Sequence, residues 1–260
     1  VGPWALWLGR KYGIPVIYTY HTRYEDYLHY LPYFRINERS TAVKKKIVEL
    51  AQNKVIPSYM RWFCNRCDLV LAPSAGMQQM IRGYGVNTPI AIFPTGLDGS
   101  FFIRNVRRSK EIREQYGKGK RHLLVTVSRL EKEKNYGFLL RGIAELKQEI
   151  GDDFHLLIIG DGSQKAELKV RASILGIQDE VTFAGNVPND QVKDYLNASD
   201  LFLFASKSET QGIVLVEAMA AGTPVVAVHA IGADDIIEDG VNGFLTEERG
   251  EEWAAKAAEA

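Results

Sequence analysis

Residues 208–222 read Ser-Glu-Thr-Gln-Gly-Ile-Val-Leu-Val-Glu-Ala-Met-Ala-Ala-Gly, which sets Glu209 and Glu217 apart by seven intervening residues. Gly212 marks a junction between loop and helix, so Glu209 falls in the loop and Glu217 one to two turns inside the helix. A helix start presents unpaired N–H groups and the positive end of the peptide dipole, a natural seat for a phosphate. Glu209 would then stand ahead of that phosphate, close to a sugar. Glu217 could accept two hydroxyl hydrogen bonds from a ribose. The plainer alternative makes Glu217 a helix-surface carboxylate, although Val216, Ala218 and Met219 give it apolar company.

Two other loops carry candidate chemistry. Ser128-Arg129-Leu130-Glu131-Lys132-Glu133-Lys134 follows an expected strand and places Arg129 and Lys134 at its end. Fixed cations there suit a diphosphate leaving group, on which negative charge builds as a bond breaks; a solvated charged turn fits the same residues. Gly160-Asp161-Gly162 follows the next strand and permits a tight turn with close backbone approach. Such glycines also occur for purely structural reasons.

The elements that must hold these loops alternate between apolar runs and amphipathic stretches. Strands are expected over 122–127, 155–159, 181–183, 201–204 and 224–228, with helices over 137–150, 164–175, 190–197 and 213–221. That alternation predicts a parallel, doubly wound sheet, whose ligands bind at the carboxyl ends of the strands. An earlier series has strands over 15–20, 68–72 and 90–93, and a long helical excursion over 41–67 that Pro57 should kink or break. Ser74 suits the N-cap of the helix that follows. The two α/β units meet near 94–108. The first has too few strands for a full Rossmann sheet, and the second ends inside a helix over 251–260. The chain starts Val-Gly-Pro-Trp, without an initiator Met or the basic start of a signal peptide, and reads as the middle of a longer protein.

Composition bounds the function. Lys and Arg total 32 and so do Asp and Glu, which argues against a nucleic-acid binder. No G-x-G-x-x-G follows a strand, which argues against a dinucleotide enzyme. No apolar run is long enough to span a bilayer. The only cysteines, Cys64 and Cys67, form a lone C-x-x-C without the second half of a zinc site, so they read as small apolar residues on a helix. Low cysteine use fits a reducing cytosol. His21 closes a strand and opens a tyrosine-rich stretch, as a functional group or as part of a packed loop. Lys44, Lys45 and Lys46 beside Val43, Ile47 and Leu50 suit an element at an anionic membrane surface, or a solvated helix face.

The segment Glu209 to Glu217, continued by Ala-Met-Ala-Ala-Gly-Thr-Pro-Val-Val-Ala, resembles the hallmark of glycosyltransferase family four. Arg129 and Lys134 match that family's basic pair, residues 160–162 its Gly-Asp-Gly turn, and Pro94-Thr95-Gly96-Leu97-Asp98 its interdomain segment. The resemblance runs from about residue 13 to 246. Ser128 stands where the family often has Gly, and the family's N-terminal glycine-rich loop is absent from this sequence. The run His21-Thr22-Arg23-Tyr24-Glu25-Asp26-Tyr27-Leu28-His29-Tyr30 is similar to the bacterial diacylglycerol glucosyltransferases.

The resemblance implies an α/β GT-B fold of two doubly wound Rossmann-like domains. Residues 1–100 would be the second half of an acceptor-side domain and 101–260 a nucleotide-sugar domain, with the N-terminal domain incomplete and the C-terminal end truncated. It implies a retaining hexosyltransferase that moves glucose from UDP-glucose to a lipid such as diacylglycerol, from the inner face of the cell membrane. Arg129 and Lys134 would bind the diphosphate, Glu209 the transferred sugar and Glu217 the ribose. Thr210, Gln211, Gly212 and Ile213 would offer backbone contacts, with Gly160 in the adjoining turn and Val187 near the base. His21 would approach the donor sugar or the acceptor hydroxyl. Neither a metal nor a further cofactor is implied. The rival readings are a polysaccharide or soluble-sugar acceptor, a sugar-nucleotide epimerase, and a binding protein without catalysis.

Overall fold

The computed structural model describes residues 2–36 and 40–260. The chain divides into two units, Val1–Thr95 and Gly96–Ala260.

The first unit holds α1 (Gly2–Tyr12), β1 (Ile17–Thr19), α2 (Ala42–Leu50), α3 (Ile56–Cys64), β2 (Leu69–Ala72), α4 (Ala75–Gly83) and β3 (Ile90–Ile92). Its strands pair in parallel in the order β1-β2-β3. Helix α1 lies outside the elements expected from sequence. Its apolar residues form a run rather than a stripe, and only Leu6 and Gly9 are buried. Ser74 caps α4 by accepting the amide of Met77 at 3.2 Å. The excursion over 41–67 is helical, but Pro57 does not break it. A five-residue π-helical segment, Ala51–Val55, joins α2 to α3 and leaves Pro57 in the first turn of α3. The backbone stays helical through Val55, so the wider turn accommodates a proline that has no amide to give to the preceding turn.

The second unit holds α5 (Val106–Tyr116), β4 (His122–Val127), α6 (Tyr136–Ile150), β5 (Phe154–Ile159), α7 (Lys165–Ile174), β6 (Val181–Gly185), α8 (Val192–Ala198), β7 (Leu201–Phe204), α9 (Ile213–Ala220), β8 (Val225–Val228), α10 (Ile231–Asp234), β9 (Phe244–Thr246) and α11 (Gly250–Glu259). All six strands are parallel, in the order β6-β5-β4-β7-β8-β9. This is the doubly wound arrangement, in which strand order reverses between β4 and β7. Successive residues still face opposite ways although the strands are apolar throughout. Leu124, Leu156, Ile158 and Leu203 join a core with Leu139, Ile143 and Trp253. Leu123, Val125, Leu157 and Phe202 join another with Ile112, Leu196 and Leu215. Strand β9 is too short, at three residues, to have shown as an apolar run. The helix expected over 190–197 starts as a 3-10 turn, Asn189–Gln191, before α8.

Candidate functional site

Three loops lie side by side at the carboxyl edge of the six-stranded sheet, because β5, β4 and β7 are neighbours. Their contacts form one assembly. The Lys134 ammonium, after β4, pairs with a Glu209 carboxylate oxygen, after β7, at 3.4 Å, with both side chains mostly buried. Arg129 pairs with Glu133 at 3.2 Å and keeps more than half of its own side chain exposed. Ser128 fits in place of glycine: its hydroxyl lies 2.9 Å from the buried Tyr136 hydroxyl.

The Gly160-Asp161-Gly162 turn is packed against the Arg129 loop. A Cβ on Gly160 would come 1.9 Å from the Ser128 carbonyl oxygen, and one on Gly162 2.4 Å from that of Leu130. Two backbone bonds fasten the loops: Leu130 N–H donates to Asp161 at 3.0 Å and Gln164 N–H to Leu130 at 3.0 Å. Glu131 adds a side-chain clasp, accepting from the Ser163 amide at 2.9 Å and its hydroxyl at 2.6 Å. Glycine at 160 and 162 is thus required by the neighbouring loop, which sets the height of Arg129. Val187, just beyond β6, is partly buried against the sheet.

In the third loop one Glu209 carboxylate oxygen turns back on its own backbone. It accepts the amide of Gly212 at 3.1 Å, with longer contacts to Thr210 at 3.3 Å and Gln211 at 3.5 Å. Gly212 has φ +75°, the left-handed region that favours glycine, and caps α9. Behind it sits Gly232 of α10, a residue that sequence reasoning missed. A Cβ there would come 2.7 Å from the Gln211 nitrogen, and its own amide donates to the Glu209 carbonyl at 3.1 Å. The available signal was a glycine just after an apolar strand, and it was obscured because a helix as short as α10 shows no periodicity.

Glu217 lies on α9, half-buried, and its side chain has no hydrogen bond or ion pair among the described residues. Burial raises its carboxyl above the usual carboxylate value. Ile213 opens the same helix with Gly212 as its cap.

His21 belongs to the first unit, exposed just past β1. The tyrosine-rich stretch after it is packed: Tyr24–Tyr30 form a 3-10 helix in which buried Glu25 meets Arg23 at 3.6 Å and accepts from the Tyr84 hydroxyl. Cys64 and Cys67 are free and buried. Burial pushes Cys64 up to about 12 and Cys67 upward too, so both are held as unreactive thiols. Among the described residues no cluster of His, Cys, Asp and Glu is placed to hold a metal ion. No described helix is long and apolar enough to cross a membrane.

Residues 108–260 match the family described as glycosyl transferases group 1, and residues 1–101 match Glycosyltransferase Family 4. The chain belongs to the group 1 glycosyltransferases. Among glycosyltransferase relatives, it is 34% identical over 251 residues to the alpha-monoglucosyldiacylglycerol synthase of Streptococcus pneumoniae (strain ATCC BAA-255 / R6), covering 94% of this chain and 53% of that protein. It is 27% identical over 249 residues to the synthase of the same name from Acholeplasma laidlawii, covering 94% of this chain and 60% of that one. Its fold matches Anabaena HepE in complex with UDP-glucose at a TM-score of 0.72 and 25% identity, over 98% of this chain and 65% of that chain. The chain therefore spans between half and two thirds of the length of these glycosyltransferase relatives.

Proposed function

We propose that this chain carries the donor-binding part of a retaining hexosyltransferase that moves glucose from UDP-glucose to a membrane lipid such as diacylglycerol. The observation that carries the reading is Glu217. Its carboxylate is partly desolvated and has no protein partner for its side chain among the described residues, and a ribose offers it two hydroxyls at once. Arg129, Lys134 and the first amides of α9 take the diphosphate, where charge grows as the sugar leaves. Gly160 supports that loop and Val187 lies toward the base. Glu209 positions the sugar. A phosphate oxygen of the leaving group takes the proton from the acceptor. His21 serves the acceptor side. The names of the two relatives support a diacylglycerol-type acceptor, and the UDP-glucose complex supports the donor.

Helix α2 supports a lipid surface as the place of reaction. Val43, Ile47 and Leu50 are exposed on it, with Lys45 and Lys46 also in solvent. Each lysine near an anionic surface adds about 1 kcal/mol, enough together for reversible binding. Changing Lys44, Lys45 and Lys46 to Glu should abolish co-sedimentation with anionic vesicles while UDP affinity persists.

The test of the donor site is a UDP titration by calorimetry with a panel of nucleotide sugars. Glu217→Ala should lose UDP affinity; unchanged affinity refutes the ribose assignment. The wild-type affinity should also weaken in acid, beginning above the ordinary glutamate pKa, because the raised carboxyl protonates early and stops accepting. Arg129→Ala and Lys134→Ala should each cost roughly 2–4 kcal/mol of transition-state stabilisation in the whole enzyme. Near-normal turnover in both removes the leaving-group role.

A further inference from the structure

One carboxylate oxygen of Glu209 takes the Gly212 amide and the other takes Lys134. The loop that brings them together is held from behind by Gly232, whose amide bonds the Glu209 carbonyl and whose missing Cβ leaves room for the Gln211–Gly212 peptide. The carboxylate is thus built into its seat, where it completes the charge of Lys134 and occupies the Gly212 amide just ahead of α9, with longer contacts to those of Thr210 and Gln211.

We propose that Glu209 is an internal anion that closes the donor site when empty and must be expelled by the donor. This rests on the nucleotide-sugar reading above. A phosphate oxygen can replace the carboxylate at Lys134 and the amides, since both are anionic acceptors in search of the same donors. The expelled carboxylate then needs new partners, and sugar hydroxyls provide them. A nucleoside diphosphate with no sugar provides none. Glu209 therefore favours the intact donor over the spent nucleotide, and its return to Lys134 after transfer helps to eject UDP.

The test combines affinity with one amide signal. Gln211–Gly212 is the only Gln-Gly pair in the chain, so labelling Gln carbonyls with carbon-13 and Gly nitrogens with nitrogen-15 isolates the Gly212 amide. In the wild type that resonance should move when UDP is added, as it exchanges a carboxylate for a phosphate. In Glu209→Ala without ligand it should already lie away from its wild-type position. Glu209→Ala should bind UDP at least about tenfold more tightly, the scale of a charge-assisted hydrogen bond, with uridine affinity unchanged. Glu209→Gln, which keeps the size of the side chain, should fall between. The wild-type preference for UDP-glucose over UDP should shrink in both variants.

Coincident Gly212 signals in unliganded wild type and Glu209→Ala would overturn the proposal, as would UDP binding that is equal or weaker in the variant. If the wild type binds neither UDP nor UDP-glucose, the nucleotide-sugar reading itself fails.

Discussion

The two sheets are written in the same apolar alphabet and buried to different degrees. Every residue of β5, β7 and β8 is buried. In the three-stranded sheet, Ile17 of β1 is 58% exposed and Ile92 of β3 47%. An apolar run states a demand for cover, and the helices that flank a strand decide whether the demand is met. The six-stranded sheet meets it on both faces, with α6 and α11 on one side and α5, α8 and α9 on the other. The donor-site loops stand on that sheet. Loops that must hold charged groups to a fraction of an ångström gain most from such a rigid platform.

The sharpest way to break this comparison is Trp253→Ala. Trp253 is fully buried against Phe138, with ring centroids 6.0 Å apart. Its loss should cost about 3–5 kcal/mol in denaturant unfolding; a cost below about 1 kcal/mol would show that the platform is loosely packed.

Gly160→Ala should follow. The new Cβ meets the Ser128 carbonyl oxygen, and the backbone there has φ +130°. Strain of about 1–3 kcal/mol is expected, together with weaker UDP binding as the Arg129 loop shifts. A variant that melts normally but no longer binds UDP would instead assign Gly160 to the ligand directly.

Acid should act on the six-stranded sheet by a smaller amount. His155 of β5 is buried, with Nε2 2.8 Å from the Thr182 hydroxyl oxygen. Burial, aided by Lys118 and Lys120 and opposed by Glu180, lowers its pKa below the usual 6.5. The unfolded chain then takes up the proton first, so this stability is fully present above pH 6.5 and is lost as pH falls toward the lower folded value. His155→Gln should flatten that part of the pH–stability curve. Glu217 has the opposite sign: with its carboxyl raised, the unliganded chain gains stability as pH falls toward 4.5.

Smallest of all should be Ile17→Ala, below about 1 kcal/mol, because so much of the side chain is already in water. A large loss would mean that β1 is covered in solution.

Eight of the nine strands were legible to within a residue or two at each end, because each is a bounded apolar run. The strand expected over 15–20 shrank to β1 because only three of its residues pair with β2, and β9 was too short to register. In the site, residue types announced the cations, the two glutamates and the need for glycine at 160, 162 and 212. Partners were not legible. Nothing in the spacing of Glu209 and Lys134, or of Gly212 and Gly232, tells that they touch, since those contacts depend on strand order. Leu97 and Phe101, within the stretch read as the meeting of the two units, pack on the second sheet.

The π segment between α2 and α3 sets the phase of a helix. Exposed apolar residues fall at Val43, Ile47 and Leu50 before it, at Val55 on its last residue, and at Tyr59 and Trp62 beyond it. The step from Leu50 to Val55 is five residues where an unbroken helix would use four, and a π turn absorbs one extra residue of this kind. Without it, the second half would point about 100° away from the first. The wider turn works as a spacer that keeps two short stripes in line as one long one. Deleting Lys54 should therefore turn the segment into regular α-helix with the stripe still in line, and leave vesicle binding unchanged. Inserting one further residue within 51–55 should instead rotate the second half away from the first and cut vesicle binding.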